Sequence, residues 1–259
     1  MDLKISGQYF VVTGAGSGFG RAVAEALLAE GAIVLAVART AGVLESFCNQ
    51  YPSGNLHILP GDVTQTETIS KIIEWSKNHP ISGILVNAGG PPAGGAMEIN
   101  DEQWDQAYHL VLRWKLSLVQ QIALQMAERQ YGRILFIESI SVKQPVDSLA
   151  LSNIFRPAVV GFAKSLAREM ASKGVTANVL APGYHNTPAM QRLYRKKADM
   201  TGMSIGEAKQ QFERQIPTGA LAGPEAIASL ALWLLSPLSF YVTGQTISHD
   251  GGIVHGIFG

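Results

Sequence analysis

Between Thr13 and Gly20 the chain reads Thr-Gly-Ala-Gly-Ser-Gly-Phe-Gly, and no other segment limits the fold around it as strongly. The segment follows the β-branched run Tyr9–Thr13 and leads into an amphipathic stretch, Arg21 to Glu30, so the glycines fall at a strand-to-helix turn. Glycine there accepts positive φ and admits a close approach that a Cβ would block. The first amides of the following helix are left pointing outward, where they attract anionic oxygens. A glycine-lined turn in this position suits the pyrophosphate of a dinucleotide.

The rest of the sequence repeats the strand–helix unit. Short β-branched runs lie near Tyr9–Thr13, Ile33–Ala38, Leu56–Leu59, Gly83–Asn87, Arg133–Ser139, Thr176–Ala181 and Thr246–His249, with helical periodicity between them. Hydrophobic residues make up 47% of the chain and charged residues 15%, enough apolar material to bury parallel strands on both faces. The pattern predicts an α/β fold of Rossmann type, a doubly wound seven-stranded parallel sheet with helices on both faces. It further predicts a single dinucleotide-binding domain over 1–259. One helix is expected from about Asp101 to Gln130, where Asn100 can cap and Gln103 can bond back. The polar, helix-prone stretch from Tyr184 to Pro217 is long for a connection and reads as a substrate flap over the site, at about 184–217.

Composition narrows the partners. Twenty basic and twenty acidic residues cancel, so no whole-protein field draws in nucleic acid or an anionic membrane. Cys48 is the one cysteine; it excludes an internal disulfide and a multi-cysteine metal site, no metal is expected, and the cytoplasm is the expected compartment. Met1-Asp2-Leu3-Lys4 reads as no leader, and the apolar run Ala226 to Leu235 is too short for a bilayer.

The glycines are spaced Gly14, Gly18, Gly20, which departs from G-x-G-x-x-G because Phe19 takes its last position. Asp62-Val63, Asn87-Ala88-Gly89, Ser139, Pro182-Gly183 with Thr187, and Asp250-Gly251-Gly252 come after it in order. In this series the chain resembles the short-chain dehydrogenase/reductase family almost end to end. The resemblance implies a nicotinamide cofactor held by Thr13, Gly14, Gly16, Ser17, Gly18, Phe19 and Gly20. It implies that Asp62 and Val63 contact the adenine, that Asn87, Ala88 and Gly89 line the groove, and that Thr187, after Pro182 and Gly183, reaches the carboxamide. The choice between NADP and NAD is argued from charge. An acidic residue ending the second strand bonds ribose hydroxyls and repels a 2′-phosphate. Here Ala38 stands there, and Arg39 follows with a guanidinium suited to phosphate, so NADP is expected with NAD possible. The other reading of Arg39 is an exposed arginine at a strand end.

The catalytic half departs from the resemblance. Ordinary members carry an asparagine on the long fourth helix, a serine after the fifth strand, and Tyr-x-x-x-Lys on the next helix. The serine matches Ser139, whereas the family's spacing puts Ser152 at the tyrosine, Arg156 at the lysine and Val111 at the asparagine. An aliphatic hydroxyl is a far weaker acid than a phenol, and arginine neither gives nor takes a proton near neutrality. Ser139, Ser152 and Arg156 remain as candidate catalytic residues, since Ser152 and Arg156 are spaced to share a helix face and can line a developing oxyanion. Together with Gly89-Gly90-Pro91-Pro92, they resemble a divergent branch grouped with β-ketoacyl carrier-protein reductases. Three readings stay open: an oxidoreductase on a small-molecule carbonyl or alcohol with an atypical proton donor, a non-redox lyase or isomerase, and a silent nucleotide-binding module.

Tyr184, His185 and Lys143 are surrogate acids, each with a packed or solvated alternative. The segment Arg192-Leu193-Tyr194-Arg195-Lys196-Lys197 reads as a solvated helix face. The apolar tail Ile253 to Gly259 and the resemblance predict a homotetramer.

Overall fold

A computed structural model of the protein describes residues 1–52 and 54–257. Seven parallel strands, β1 (Tyr9–Thr13), β2 (Ile33–Ala38), β3 (Leu56–Pro60), β4 (Ile81–Val86), β5 (Gly132–Ile137), β6 (Val175–Pro182) and β7 (Thr246–His249), form one sheet in the order β3-β2-β1-β4-β5-β6-β7. The order reverses between β1 and β4, and the crevice at the carboxyl ends of these two strands is where a doubly wound sheet binds its ligand.

Strand alternation builds two cores. Phe10, Val12, Val34, Ala36 and Leu135 face one side, where they meet Leu27 of α1 (Gly18–Ala29), Phe47 of α2 (Ala41–Gln50) and Leu235 of α9 (Ala226–Leu235). Val11, Leu35, Val37, Ile84 and Phe136 face the other. Opposite them stand Ile72 of α3 (Thr66–Asn78), Trp114 and Leu118 of α5 (Trp114–Glu128), and Val159 of α6 (Ala150–Met170). Fully burying one such side chain contributes about 1.5–3 kcal/mol. Among the described residues, no helix is long and apolar enough to cross a membrane.

The strands near Gly83 and Arg133 start earlier than their β-branched runs predict and end before Asn87 and Ser139. That leaves both residues in the loops at the strand ends. The long helix differs more. Asn100 and Gln103 form the expected capping box, but α4 (Asp101–Ala107) passes into a π-helical turn, Tyr108–Arg113, before α5 begins. The Trp114 indole donates to the Leu110 carbonyl at 2.8 Å, satisfying an acceptor within the widened turn. The extra residue rotates α5 about its axis relative to α4, as π-turns inside helices do. Val111 and Trp114 are buried in consequence, and so is Lys115.

The 184–217 stretch forms two helices, α7 (Pro188–Thr201) and α8 (Ile205–Glu213). Here the expectation of a solvated face is corrected. Tyr194 is fully buried and packs with Met190, Ala198 and Phe212, so α7 turns one side inward while Arg192, Arg195 and Lys196 stay exposed on the other. The basic residues concealed that stripe because they interrupt it in sequence without occupying it in space. Of the apolar tail, Ile253 is buried beside Ile140 and Ile216 while Ile257 is exposed; Phe258 and Gly259 lie outside the described residues.

Candidate active site

The glycine turn is locked to the end of β4. Thr13 Oγ1 donates to the Asn87 carbonyl at 2.8 Å and accepts from the Asn87 amide at 2.8 Å. Gly14 (φ +65°) and Gly18 (φ +56°) take left-handed conformations, which cost a residue with a Cβ but not glycine. A Cβ on Gly20 would sit 2.3 Å from the Gly14 carbonyl oxygen, and one on Gly14 would sit 2.8 Å from that of Asn87. Three backbones therefore meet at contact distance. Ser17 caps α1 by position and makes no side-chain bond there, so the amides of the first turn keep their capacity for an anion. Phe19, half-buried, meets the His185 ring edge-on at 5.0 Å.

The other expected cofactor residues converge on the same crevice. Thr187 caps α7 and is buried, and a Cβ on Gly18 would lie 3.7 Å from its methyl group. A cavity of about 600 Å³ opens beside it, lined by Asn186, Thr187 and Arg195 among others. Pro182 ends β6, and Gly183 packs so closely on Asp250 that a Cβ would come within 2.7 Å of it. Ala38 ends β2 at 3.3 Å from where a Gly16 Cβ would stand, and Arg39 beside it is exposed. Asp62 accepts from the Thr64 amide at 2.9 Å and hydroxyl at 2.8 Å, while Val63 is buried in the core behind it. Ala88 is half-buried, and Gly89 faces open space. A dinucleotide fits this set: glycines stand where Cβ atoms would fill the cradle, and free helix amides lie at its centre.

At the far end of the crevice the sequence reading was incomplete. Ser139 is half-buried at the end of β5, and its Oγ accepts from the Ser141 amide at 3.2 Å. Ser152 and Arg156 are both buried on α6, one turn apart. Ser139 and Ser152 are not hydrogen-bonded to each other among the described residues. Pro157 lies inside α6 without ending it. Arg156 Nη1 donates to Glu138 Oε2 at 2.9 Å, and a Cβ on Gly90 would sit 2.8 Å from Arg156 Nη2. The guanidinium thus reaches the loop that continues Asn87-Ala88-Gly89. Lys115 donates to the second Glu138 oxygen. Burial holds the Lys115 ammonium below its ordinary pKa, an effect that Glu138 partly offsets.

Lys115 and Glu138 were missed, although each left a signal. Lys115 sits four residues after Val111 and three before Leu118, on the stripe that faces the sheet; a lysine there must either be paired or distort the helix. Glu138 directly follows the apolar run Ile134–Ile137 of β5.

Tyr184 and His185 are held by neighbours of their own. His185 is buried, with Nδ1 3.1 Å from the Gly183 carbonyl and Nε2 3.0 Å from His249 Nδ1. Its pKa is lowered, first by burial. Tyr184 lies 3.5 Å from Gln215 Oε1, edge-on to Phe212, and burial raises its phenol pKa. Lys143 is half-buried in the loop after Ser139. No cluster of three or more metal-ligating side chains occurs among the described residues.

Residues 14–254 match a protein-family model described as enoyl-(acyl carrier protein) reductase. The 3-oxoacyl-(acyl-carrier-protein) reductase FabG of Escherichia coli (strain K12) is 30% identical over 253 residues, covering 97% of this chain and 99% of that one. Among solved structures, L-sorbose reductase from Gluconobacter frateurii, complexed with NADPH and L-sorbose, superposes with a TM-score of 0.92 at 26% identity. The match covers 99% of this chain and 100% of that one. An NADPH-bound short chain oxidoreductase from Pseudomonas aeruginosa PAO1, described as containing an atypical catalytic center, gives 0.85 at 29% identity over 96% and 97% of the two chains.

Proposed function

The chain belongs to the short-chain dehydrogenase/reductase family, and on that premise we propose that it is an NADP(H)-dependent oxidoreductase interconverting a small-molecule carbonyl and an alcohol. The observation that carries this reading is the glycine turn, locked to Asn87 and facing Thr187, with Ala38 and Arg39 at one end of the crevice and Arg156 at the other. The relatives complexed with NADPH support the choice of cofactor.

In this reading 1–259 is one dinucleotide-binding domain. Thr13 to Gly20 cradle the pyrophosphate, and Arg39 pairs with the 2′-phosphate. Asp62 and Val63 border the adenine, Asn87 to Gly89 line the groove, and Pro182, Gly183 and Thr187 hold the carboxamide. When bound, NADPH supplies the hydride, and carbonyl plus hydride plus one proton gives the alcohol. The Ser139 and Ser152 hydroxyls donate to the carbonyl oxygen, and Arg156 offsets the negative charge that grows on it. A guanidinium is not a proton donor near neutral pH, so the proton reaches the oxygen through a serine hydroxyl relayed from water. The helices at 184–217 cover the substrate and exclude solvent.

The test is a fluorescence titration with NADPH, followed by a panel of ketones, β-ketoesters and ketoses. NADPH binding with turnover of one carbonyl class supports the proposal. Absence of NADPH binding refutes it.

A further inference from the structure

The Glu138 carboxylate is completely buried and meets two cations, Lys115 from α5 and Arg156 from α6, whose side chains are 3% and 10% exposed. One carboxylate needs one cation. The cluster therefore places a second basic group in the interior, where a charge is costly. Apolar side chains of similar volume would often stabilise a fold as well as a buried ion pair does, so stability does not account for this arrangement. The two cations are also unequal. Lys115 is sealed between Glu138 and its own helix, with its ammonium 5.8 Å from the Trp114 ring. Arg156 leaves the cluster at the Gly90 loop, and its Nε is buried with no hydrogen-bond partner among the described residues.

We infer that Glu138 and Lys115 are positioning residues which hold the Arg156 guanidinium against the Gly90 loop, so that it meets the reacting end of the crevice as a fixed cation. The inference rests on the oxidoreductase reading for its role in turnover. Glu138 fixes the orientation through one oxygen, and Lys115 keeps the other oxygen occupied. The glycine at position 90 is the third element, because a Cβ there would displace Nη2. The π-turn supplies the rotation of α5 that brings Lys115 to Glu138. In the oxidoreductase the device offers a growing alkoxide a charge that needs no reorganisation.

The test is a mutant cycle on the full chain. Glu138→Leu with Lys115→Met removes the clamp, and Arg156→Gln removes the working group. The expected result is that each costs about a hundredfold in kcat, the scale of a misplaced catalytic group. The combination should cost little more than either alone, with thermal melting close to that of the unaltered protein. Multiplying losses, or an unchanged kcat in the Leu/Met variant, would overturn the inference. Should that variant fail to fold, Glu138→Asp retracts the carboxylate with all charges kept: a kcat loss that disappears in the Arg156→Gln background supports positioning, and an additive loss opposes it. If the unaltered protein binds NADPH and reduces nothing in the carbonyl panel, the oxidoreductase reading fails. The same cycle measured on the NADPH Kd then decides the positioning claim, with coupling for it and additivity against it.

Discussion

Replacing Ala38 by Asp tests the cofactor end of the crevice. Ala38 ends β2, half-buried, beside Gly16 and directly before the exposed Arg39. A carboxylate there faces the region proposed for the 2′-phosphate and also competes for Arg39. Two unit charges about 4 Å apart repel by about 1 kcal/mol in bulk water and about 4 kcal/mol at an effective dielectric near 20. Position 38 lies nearer the solvent limit, because one of its sides is open, while a phosphate monoester carries roughly −1.5 to −2 charges at pH 7. The repulsion is then about 1.5–3 kcal/mol, and since about 1.4 kcal/mol is tenfold in affinity, NADPH binding should weaken about 10- to 150-fold. NADH lacks the phosphate and gains acceptors for its ribose hydroxyls, so its affinity should hold or rise. The assay is fluorescence titration with both cofactors at low and high salt, since screening should shrink the effect. Ala38→Ser, similar in size and uncharged, is the control. Undiminished NADPH affinity in Ala38→Asp would refute the placement of the phosphate.

Other parts of the molecule carry expectations of their own. Gly20→Ala should abolish cofactor binding with the fold retained, because its Cβ would meet the Gly14 carbonyl oxygen at 2.3 Å; circular dichroism beside the titration checks this, and normal binding would contradict it. The Tyr194 hydroxyl is buried with no hydrogen-bond partner among the described residues, and its pKa is pushed up to about 12 by burial. The folded state thus favours the neutral phenol, and the associated stability is intact below about pH 10 and lost as pH rises toward 12. Tyr194→Phe should melt no lower than the unaltered protein at neutral pH and should flatten that alkaline loss; a clear drop in Tm would refute it. A homotetramer is expected by light scattering, since Phe240 and Tyr241 are 69% and 91% exposed beside the C-terminal strand; a monomer at micromolar concentration would refute it.

How much of this was legible in the sequence depends on whether the signal was local. The glycine turn, the Asn100–Gln103 box and the β-branched strands were legible because chain neighbours decide them. Strand order comes from the right-handed crossovers that repeated strand–helix units impose. The π-turn was not legible, since Tyr108–Arg113 contains no glycine or proline that would mark it. Tyr194 was hidden by flanking charges that point away from it. At the site, Ser139, Ser152 and Arg156 were chosen as candidates by spacing, but Glu138 and Lys115 come from different elements and acquire meaning only when β5 and α5 are packed. A buried three-charge cluster has no sequence period. Each charge was visible singly in the sequence, standing in an apolar context.

The central claim is that this crevice transfers a hydride, and the most direct measurement tracks that atom. NADPH deuterated at both nicotinamide C4 positions would be incubated with the carbonyl that the panel selects, and the alcohol analysed by mass spectrometry. The expected result is one deuterium on the new carbinol carbon, formed in step with the loss of NADPH. A bound cofactor that stays reduced across the whole panel, or an alcohol that carries no deuterium, would contradict hydride transfer here.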